Sequence, residues 1–346
     1  MRFSVLIPVY KVERYLDACM GSVLNGTFSD YEIVAVDDGS PDRCPAMLDA
    51  YERAYPDRVR VIHQRNGGLI SARRTAIAAA RGDYIVFLDS DDALRSDALR
   101  VLSDTFEQTG ADMVICTYTN VYETGAEIDS EAVFPDGTVF SGREKELIYA
   151  ELIRGWRLNN LWIKAIRREL VQGDPTDYSP YFPNPNAEDL LQTLYPVTHA
   201  ERIVYRAVPL YRYLRRSDSI SAIVMKGEIE KQSNESVMRL LRDYMRVWGM
   251  DTPEWRSVYH TRRLNNLISL FFQHYRAART AGERRRVMRL DWMGLLTNED
   301  LGYFYHNNLN RVKQAQLIAI RYRIKALLDL FVTVGSRNMR ARHAGE

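Results

Sequence analysis

Acidic side chains stand in three sets along the first part of the chain: Asp37-Asp38-Gly39, Asp89-Ser90-Asp91-Asp92 and Glu188-Asp189. The first two directly follow apolar runs, Ile33-Val34-Ala35-Val36 and Tyr84-Ile85-Val86-Phe87-Leu88. Clustered carboxylates repel one another unless positive charge is held between them. A hard divalent cation bridging to phosphate oxygens meets that need. Within Asp89-Ser90-Asp91, one carboxylate can take a metal while the other takes a sugar hydroxyl. A metal so placed offsets charge building on a departing diphosphate. A lone Asp-x-Asp arises often by chance, and this one also suits an N-cap cluster before the helix that follows. Its position after a buried run separates it from chance matches.

Two other stretches carry groups suited to the same ligand. Asp37 and Asp38 end an apolar run, where a carboxylate can accept from a base N–H or a ribose hydroxyl. Ser40 and Asp42 also suit the start of the next helix, yet two acids exceed what capping needs. Pro8 and Tyr10 can wall a planar base pocket, or simply pack a strand end. Asn66-Gly67-Gly68-Leu69-Ile70-Ser71-Ala72-Arg73-Arg74 runs from a glycine turn into a helix. There the loop amides and Arg73 can grip phosphate. It lacks the Gly-Lys-Ser/Thr of a Walker loop and the glycine pattern of a dinucleotide fingerprint.

Positioning these groups requires a sheet. Apolar runs at Phe3–Val9, Tyr31–Val36, Val59–His63, Tyr84–Leu88 and Met113–Tyr118 read as strands. They alternate with helical patterns at Glu13–Leu24, Pro41–Tyr55, Ser71–Ala80 and Ala98–Thr109. This alternation predicts an α/β fold with a doubly wound, mostly parallel sheet, whose ligands sit beyond the carboxyl ends of the strands. The stretch from 119 to 222 is less regular. It holds short strand candidates at Val139-Phe140 and Ile203–Tyr205, a helix from Gly142 to Arg154, and a proline-rich loop from Pro175 to Pro185. From 223 to the end prolines nearly vanish. Stripes such as Leu240, Leu241, Tyr244, Val247 and Leu264, Leu267, Ile268, Phe271, Phe272 predict a separate helical region.

Composition narrows the classes. The chain has 346 residues, of which 46% are hydrophobic, so an ample core is available. A net charge of +2 gives no field directed at nucleic acid. Cys19, Cys44 and Cys116 lack metal or disulfide spacing, which favours a reducing, cytoplasmic compartment. The six histidines show no zinc spacing. No apolar run is long enough to span a bilayer.

Taken together, the motifs resemble the inverting glycosyltransferases of GT-A fold family 2. The resemblance rests on Ser4-Val5-Leu6-Ile7-Pro8-Val9-Tyr10, Val36-Asp37-Asp38-Gly39-Ser40, Asn66-Gly67-Gly68 with Ser71-Ala72-Arg73, and Gly82 through Asp92. It extends more loosely through Leu161-Trp162-Ile163-Lys164, Arg167-Arg168-Glu169-Leu170, Glu188-Asp189-Leu190, and Tyr213 to Ser221 with Arg215 and Arg216. It implies a glycosyltransferase domain over 1–222, with a nucleotide-sugar half (1–118) and an acceptor half (119–222), followed by a helical region over 223–346. It also implies a role for each matching position. Pro8, Tyr10, Asp38 and Asp37 would hold a nucleoside, commonly uridine. Asn66, Arg73, Asp89, Ser90, Lys164, Arg215 and Arg216 would bind the nucleotide sugar. Asp91 would hold Mn²⁺ or Mg²⁺. Asp189 would be the general base, across the pocket from Asp91, with Glu188 orienting the acceptor. Arg74, Ala76 and Ala187 depart from the family pattern, which usually has Asn, Gly and Gly there.

The implied reaction moves a sugar from a nucleotide-diphosphate sugar to a hydroxyl of a glycan or lipid-linked acceptor in cell-surface polysaccharide assembly. A nucleotidyltransferase would want a basic, glycine-rich signature at the first strand end, where Pro8-Val9-Tyr10-Lys11 stands. A non-catalytic sugar- or nucleotide-binding module is the other alternative, and Glu188-Asp189 counts against it. The segment Gln314–Val334 reads as one amphipathic helix with interspersed arginines. It suits either peripheral contact with an anionic inner membrane surface or packing on its own domain or a second copy.

Overall fold

A computed structural model of the chain describes residues 1–155, 157–181, 187–216, 228–305 and 310–343. The chain divides into two compact units, Met1–Ser219 and Ile220–Glu346. The first unit is built on strands β1 (Phe3–Val9), β2 (Tyr31–Asp37), β3 (Val59–His63), β4 (Tyr84–Phe87), β5 (Ala93–Leu94), β6 (Met113–Tyr122), β7 (Glu127–Asp129), β8 (Thr138–Ser141), β9 (Lys164–Arg167) and β10 (Arg202–Arg215). Its helices are α1 (Leu16–Leu24), α2 (Cys44–Ala54), α3 (Leu69–Ala79), α4 (Ala98–Thr109), α5 (Lys145–Arg154), α6 (Arg168–Gln172) and α7 (Glu188–His199).

Every residue of β1 and β2 is buried, which is why both read as mostly apolar runs rather than alternating ones; their polar exceptions inside the sheet, Ser4 and Glu32, bond to each other at 2.6 Å. The sheet order is β3-β2-β1-β4-β9-β6-β10-β5, with β7 on β6 and β8 on β10. The β3-β2-β1-β4 half is parallel throughout. Because β4 returns beside β1 on the side away from β2, the chain reverses direction across the sheet there. A crevice opens at such a point, beyond the carboxyl ends of β1 and β4. Tyr10 and Asp89 leave the sheet at that place. Beyond β4 the sheet is mixed: β9 runs antiparallel to both β4 and β6, whereas β6 and β10 are parallel. Phe3, Tyr84 and Phe106 join α4 to this sheet, with the Tyr84 and Phe106 rings stacked at 3.7 Å.

The structure moves several expected boundaries. The first helix begins at Leu16 rather than Glu13, because Glu13 is engaged in the preceding turn: its N–H donates to Asp42 Oδ2 and its carboxylate accepts from Arg43 N. The second helix begins at Cys44 rather than Pro41, where Asp42 Oδ1 accepts from Cys44 N at 3.0 Å. The strand expected over Ile203–Tyr205 continues to Arg215. Its pairing with β6 shifts register around Pro209, and the arginines along it hide its alternation. No strand was expected at Lys164–Arg167, whose charged ends mask a buried Ala165-Ile166. Residues 182–186 of the proline-rich loop, and Ser219 and Ser221 of the family's closing segment, lie outside the described residues.

The second unit comprises α8 (Glu228–Val247), α9 (Pro253–Ala277), α10 (Ala281–Arg289), α11 (Asn298–Tyr305), α12 (Arg311–Arg321) and α13 (Lys325–His343). The expected stripe on α9 is its core: Leu264, Leu267, Ile268, Phe271 and Phe272 pack with Trp292, Leu317, Ile320 and Leu328. On α8, Leu241 is buried but Val247, at the helix end, is 70% exposed. The single helix expected over Gln314–Val334 is two. It breaks at Tyr322–Ile324, where Arg323 takes φ 55° in the left-handed region. Leu317, Ile320 and Leu328 from that segment face the unit's own core. Among the described residues no helix is long and apolar enough to cross a membrane.

Candidate active site

The loop after β4 is fixed from β10. Asp92 is 3% exposed, and its carboxylate accepts from Leu214 N and from the Tyr211 hydroxyl, both at 2.7 Å. The same hydroxyl receives Asp89 N at 3.1 Å. With both Asp92 oxygens engaged and the Asp89 amide held, the neighbouring side chains of Asp89 and Asp91 are presented at the sheet edge. Burial raises the Asp92 carboxyl well above the usual range, and the nearby Asp91 and Asp89 charges add to that. Tyr211 is a site residue that sequence reading missed. It lies 119 residues from Asp92, and no local pattern marks it.

Arg73 is the centre's buried cation. It projects from α3 and is 1% exposed. Its Nη2 donates to Asp89 Oδ1 at 2.9 Å and its Nη1 to Asp189 Oδ1 at 2.8 Å. One planar guanidinium can serve two carboxylates because its donors are held in a rigid fork. Asp189 and Glu188 open α7, and the residue before them, Ala187, sits at φ 68° and ψ 32°. A side chain strains in that left-handed conformation, which glycine enters without a Cβ penalty. Burial pushes the Asp89 carboxyl up to about 6, with the Asp189 and Asp91 charges adding and Arg73 opposing. Burial and the Asp189 charge push Glu188 up to about 7.

Asp91 does not share in the Arg73 pair. Its Oδ2 lies 2.7 Å from Arg216 Nη2, with side chains 22% and 9% exposed, and the Arg216 guanidinium lies over the Tyr15 ring at 4.5 Å. Among the described residues, no group of three or more His, Cys, Asp and Glu side chains is arranged to hold a metal. Mg²⁺-type sites on phosphates commonly take only one or two protein carboxylates and complete their shell with phosphate oxygens and water. A partly exposed Asp91 beside Asp89 fits that kind of site.

The two acids at the end of β2, Asp37 as its last residue and Asp38 directly after it, are both held by protein groups. Asp38, 3% exposed, accepts from Gly67 N and Gly68 N, each at 2.8 Å, and from Gln64 Nε2 at 2.7 Å. Three of about four acceptor positions on that carboxylate are thus filled by protein donors, so Asp38 organises the glycine loop. Asp37 accepts from Ser40 N and pairs with His63 Nδ1, both at 2.8 Å; the Asp37 carboxylate, with Asp49 on the other ring nitrogen, raises the His63 pKa against its partial burial. Gly39 and Gly68 make the arrangement feasible. They adopt φ 67° and 85°, and a Cβ on Gly39 would come within 2.9 Å of Asn66 N. Asn66 donates from Nδ2 to Asp38 O at 2.9 Å.

The remaining expected residues separate into lining and scaffold. Pro8 is buried within β1, while Tyr10 is 41% exposed, with Lys11 Nζ over its ring at 5.0 Å. Ser90 is buried between Asp89 and Asp91. Lys164 is redirected by the fold: its ammonium donates to Leu158 O at 2.6 Å and Asn160 O at 2.5 Å, and burial lowers its pKa to about 7. It therefore braces the preceding turn instead of standing free for a ligand. Arg215 is exposed, donates to Asn120 Oδ1 at 2.8 Å and lies over Tyr213. Arg74 points away from Asp89, donating to Val171 O and lying over the Tyr178 ring.

Known proteins resemble this chain in sequence and in fold. The family model described as "Glycosyl transferase family 2" matches residues 4–169. A putative glycosyltransferase of Bacillus subtilis, EpsH, is 32% identical over 219 residues, covering 63% of this chain and 62% of that protein. The glycosyltransferase GlyG of Streptococcus pneumoniae is 32% identical over 228 residues, covering 63% of this chain and 72% of that protein. The uncharacterized B. subtilis glycosyltransferase EpsJ is 45% identical, and there the match spans only 33% of each chain. Among solved structures, S. aureus TarS 1–349 in complex with UDP-GlcNAc superposes with a TM-score of 0.61 at 18% identity, covering 99% of this chain and 92% of that one. At that identity the likeness establishes the GT-A fold.

Proposed function

The chain belongs to glycosyl transferase family 2, and from that premise we propose that it transfers a sugar from a nucleotide-diphosphate sugar to an acceptor hydroxyl, with inversion. The observation that carries this reading is the Arg73 bridge: it gathers Asp89, from the end of β4, and Asp189, from the start of α7, into one centre at the sheet's switch point. Asp89 would meet the ribose or sugar hydroxyls. Asp189 would accept the acceptor's proton as the bond to the diphosphate lengthens, and Glu188 would orient the acceptor. Geometry and timing matter more than resting basicity for such a base. Arg73 would keep the base and the sugar-facing carboxylate in register.

The residues that would hold Mn²⁺ or Mg²⁺ are Asp91 and, beside it, Asp89; the bound ion would offset charge on the departing diphosphate. Uridine as the base is supported by the fold likeness to a protein solved with UDP-GlcNAc and with UDP. Tyr10 and Pro8 would wall that base. Transfer of a hexosyl or N-acetylhexosaminyl group to a surface glycan or glycolipid extends the family's chemistry by analogy.

The test is a panel of UDP-, GDP- and dTDP-sugars with Mn²⁺, with and without EDTA, scored by release of the nucleoside diphosphate. Turnover of one donor should be lost in EDTA and in Asp91→Ala. Full transfer activity in both Asp91→Ala and Asp189→Ala would overturn the assignment.

A further inference from the structure

We infer that Arg216 occupies the cation's place on Asp91 while no donor is bound, so that a metal ion and Arg216 compete for one carboxylate. The inference rests on the donor reading above and adds to it an order of events. It starts from how the acids are neutralised. Arg73 serves Asp89 and Asp189 with its two terminal nitrogens. That leaves Asp91, two residues from Asp89 on the same loop, for a second cation. Arg216 supplies it, Nη2 to Oδ2 at 2.7 Å, with the guanidinium side chain 9% exposed.

A divalent ion placed on Asp91 with Arg216 still in contact would set three positive charges around one carboxylate. Like charges at such separations repel strongly where water is scarce. The ion must therefore either displace Arg216 or bind weakly. A diphosphate resolves the conflict, since its oxygens accept from a guanidinium in the same forked geometry as a carboxylate does. The backbone keeps the released side chain close. Leu214 N is bonded to Asp92 Oδ1 at 2.7 Å, so the strand end that Arg216 directly follows is tied to the loop carrying Asp91. The Tyr15 ring, 4.5 Å from the guanidinium, gives it a second surface to rest on. Metal alone then binds poorly, and metal with diphosphate binds as a unit. This is a coupling free energy between the two ligands, equal in both directions.

The experiment measures Mn²⁺ binding to the full chain by calorimetry and by electron paramagnetic resonance, first alone and then with UDP. In Arg216→Met, Mn²⁺ alone should bind more tightly by on the order of ten-fold, the worth of one partly buried ion pair. The gain in Mn²⁺ affinity on adding UDP should shrink. Arg216→Lys, which keeps the charge without the fork, should fall between, and thermal melts of both variants verify that they fold. If Arg216→Met leaves Mn²⁺ binding unchanged or weaker while UDP still promotes it, the competition is disproved and the donor reading stands. If the unaltered protein binds neither Mn²⁺ nor UDP, the donor reading falls and takes this inference with it.

Discussion

Arg73 Nη1 donates to Asp189 Oδ1 at 2.8 Å, joining residues 116 apart in sequence. The same guanidinium holds Asp89 at 2.9 Å, so helix α3 ties the end of β4 to the start of α7. A fully buried cation between two acids is costly to remove, because the carboxylates stay behind unpaired. Replacing Arg73 by Met should lower the unfolding free energy by about 3 kcal/mol, read from urea titration. Arg73→Lys should recover only part of this, since an ammonium is a point charge without the fork.

Exchanging Asp189 for Asn keeps an oxygen for Arg73 and removes the proton acceptor. Transfer should fall by roughly 10²–10⁴-fold, the usual worth of general base catalysis, while binding of UDP and Mn²⁺ stays near that of the unaltered protein. Calorimetry alongside steady-state turnover separates the two. Equal turnover in Asp189→Asn would move the base elsewhere, with Glu188 the next residue to test.

The pH dependence has opposite signs for folding and for binding. The fold raises Asp89 to about 6 and Glu188 to about 7, chiefly through burial. A raised carboxyl pKa means that the folded state prefers the protonated form. Its contribution to stability is complete below the unfolded carboxylate range, near pH 4, and is lost as pH rises through about 6 to 7. Glu188→Gln should therefore melt above the unaltered protein at about pH 8, with the gap closing towards pH 4. Mn²⁺-dependent donor binding needs ionised carboxylates and should rise across the same window. Melting curves and donor titrations at stepped pH check both limbs.

Asp38 distinguishes a loop brace from a nucleoside ligand. Its carboxylate receives two glycine amides and Gln64. Asp38→Ala should cost about 2–3 kcal/mol through amides left without an acceptor, with faster hydrogen exchange at Gly67 and Gly68. A ligand role alone would lower UDP affinity and leave stability and exchange untouched.

Ala187 holds a left-handed conformation at φ 68°. Glycine enters that region without the Cβ penalty. Ala187→Gly should stabilise the protein by about 1 kcal/mol if the strain outweighs the added chain entropy. The urea midpoint gives the sign.

The chain's own order of residues was enough to determine the parallel half of the sheet and the acids at its carboxyl ends. Residues of β1 and β2 are buried on both faces, so consecutive apolar side chains announce them, and whatever follows such a run must emerge at the strand's carboxyl end. That is a local rule, and it located Asp37, Asp89 and Asp91. The core stripe of α9 was legible for the same reason, through its helical period. Strand β9 and the part of β10 beyond Tyr205 were not, since Lys and Arg interrupt their apolar residues and their partners lie on distant strands. Tertiary structure alone decided which positive group each acid meets: Arg73 for Asp89 and Asp189, Arg216 for Asp91, glycine amides for Asp38. It likewise turned Lys164 onto two carbonyls and broke the last predicted helix at Arg323. Charges pair through space, at distances the fold sets, and side-chain chemistry does not encode which of several nearby partners will arrive within 3 Å.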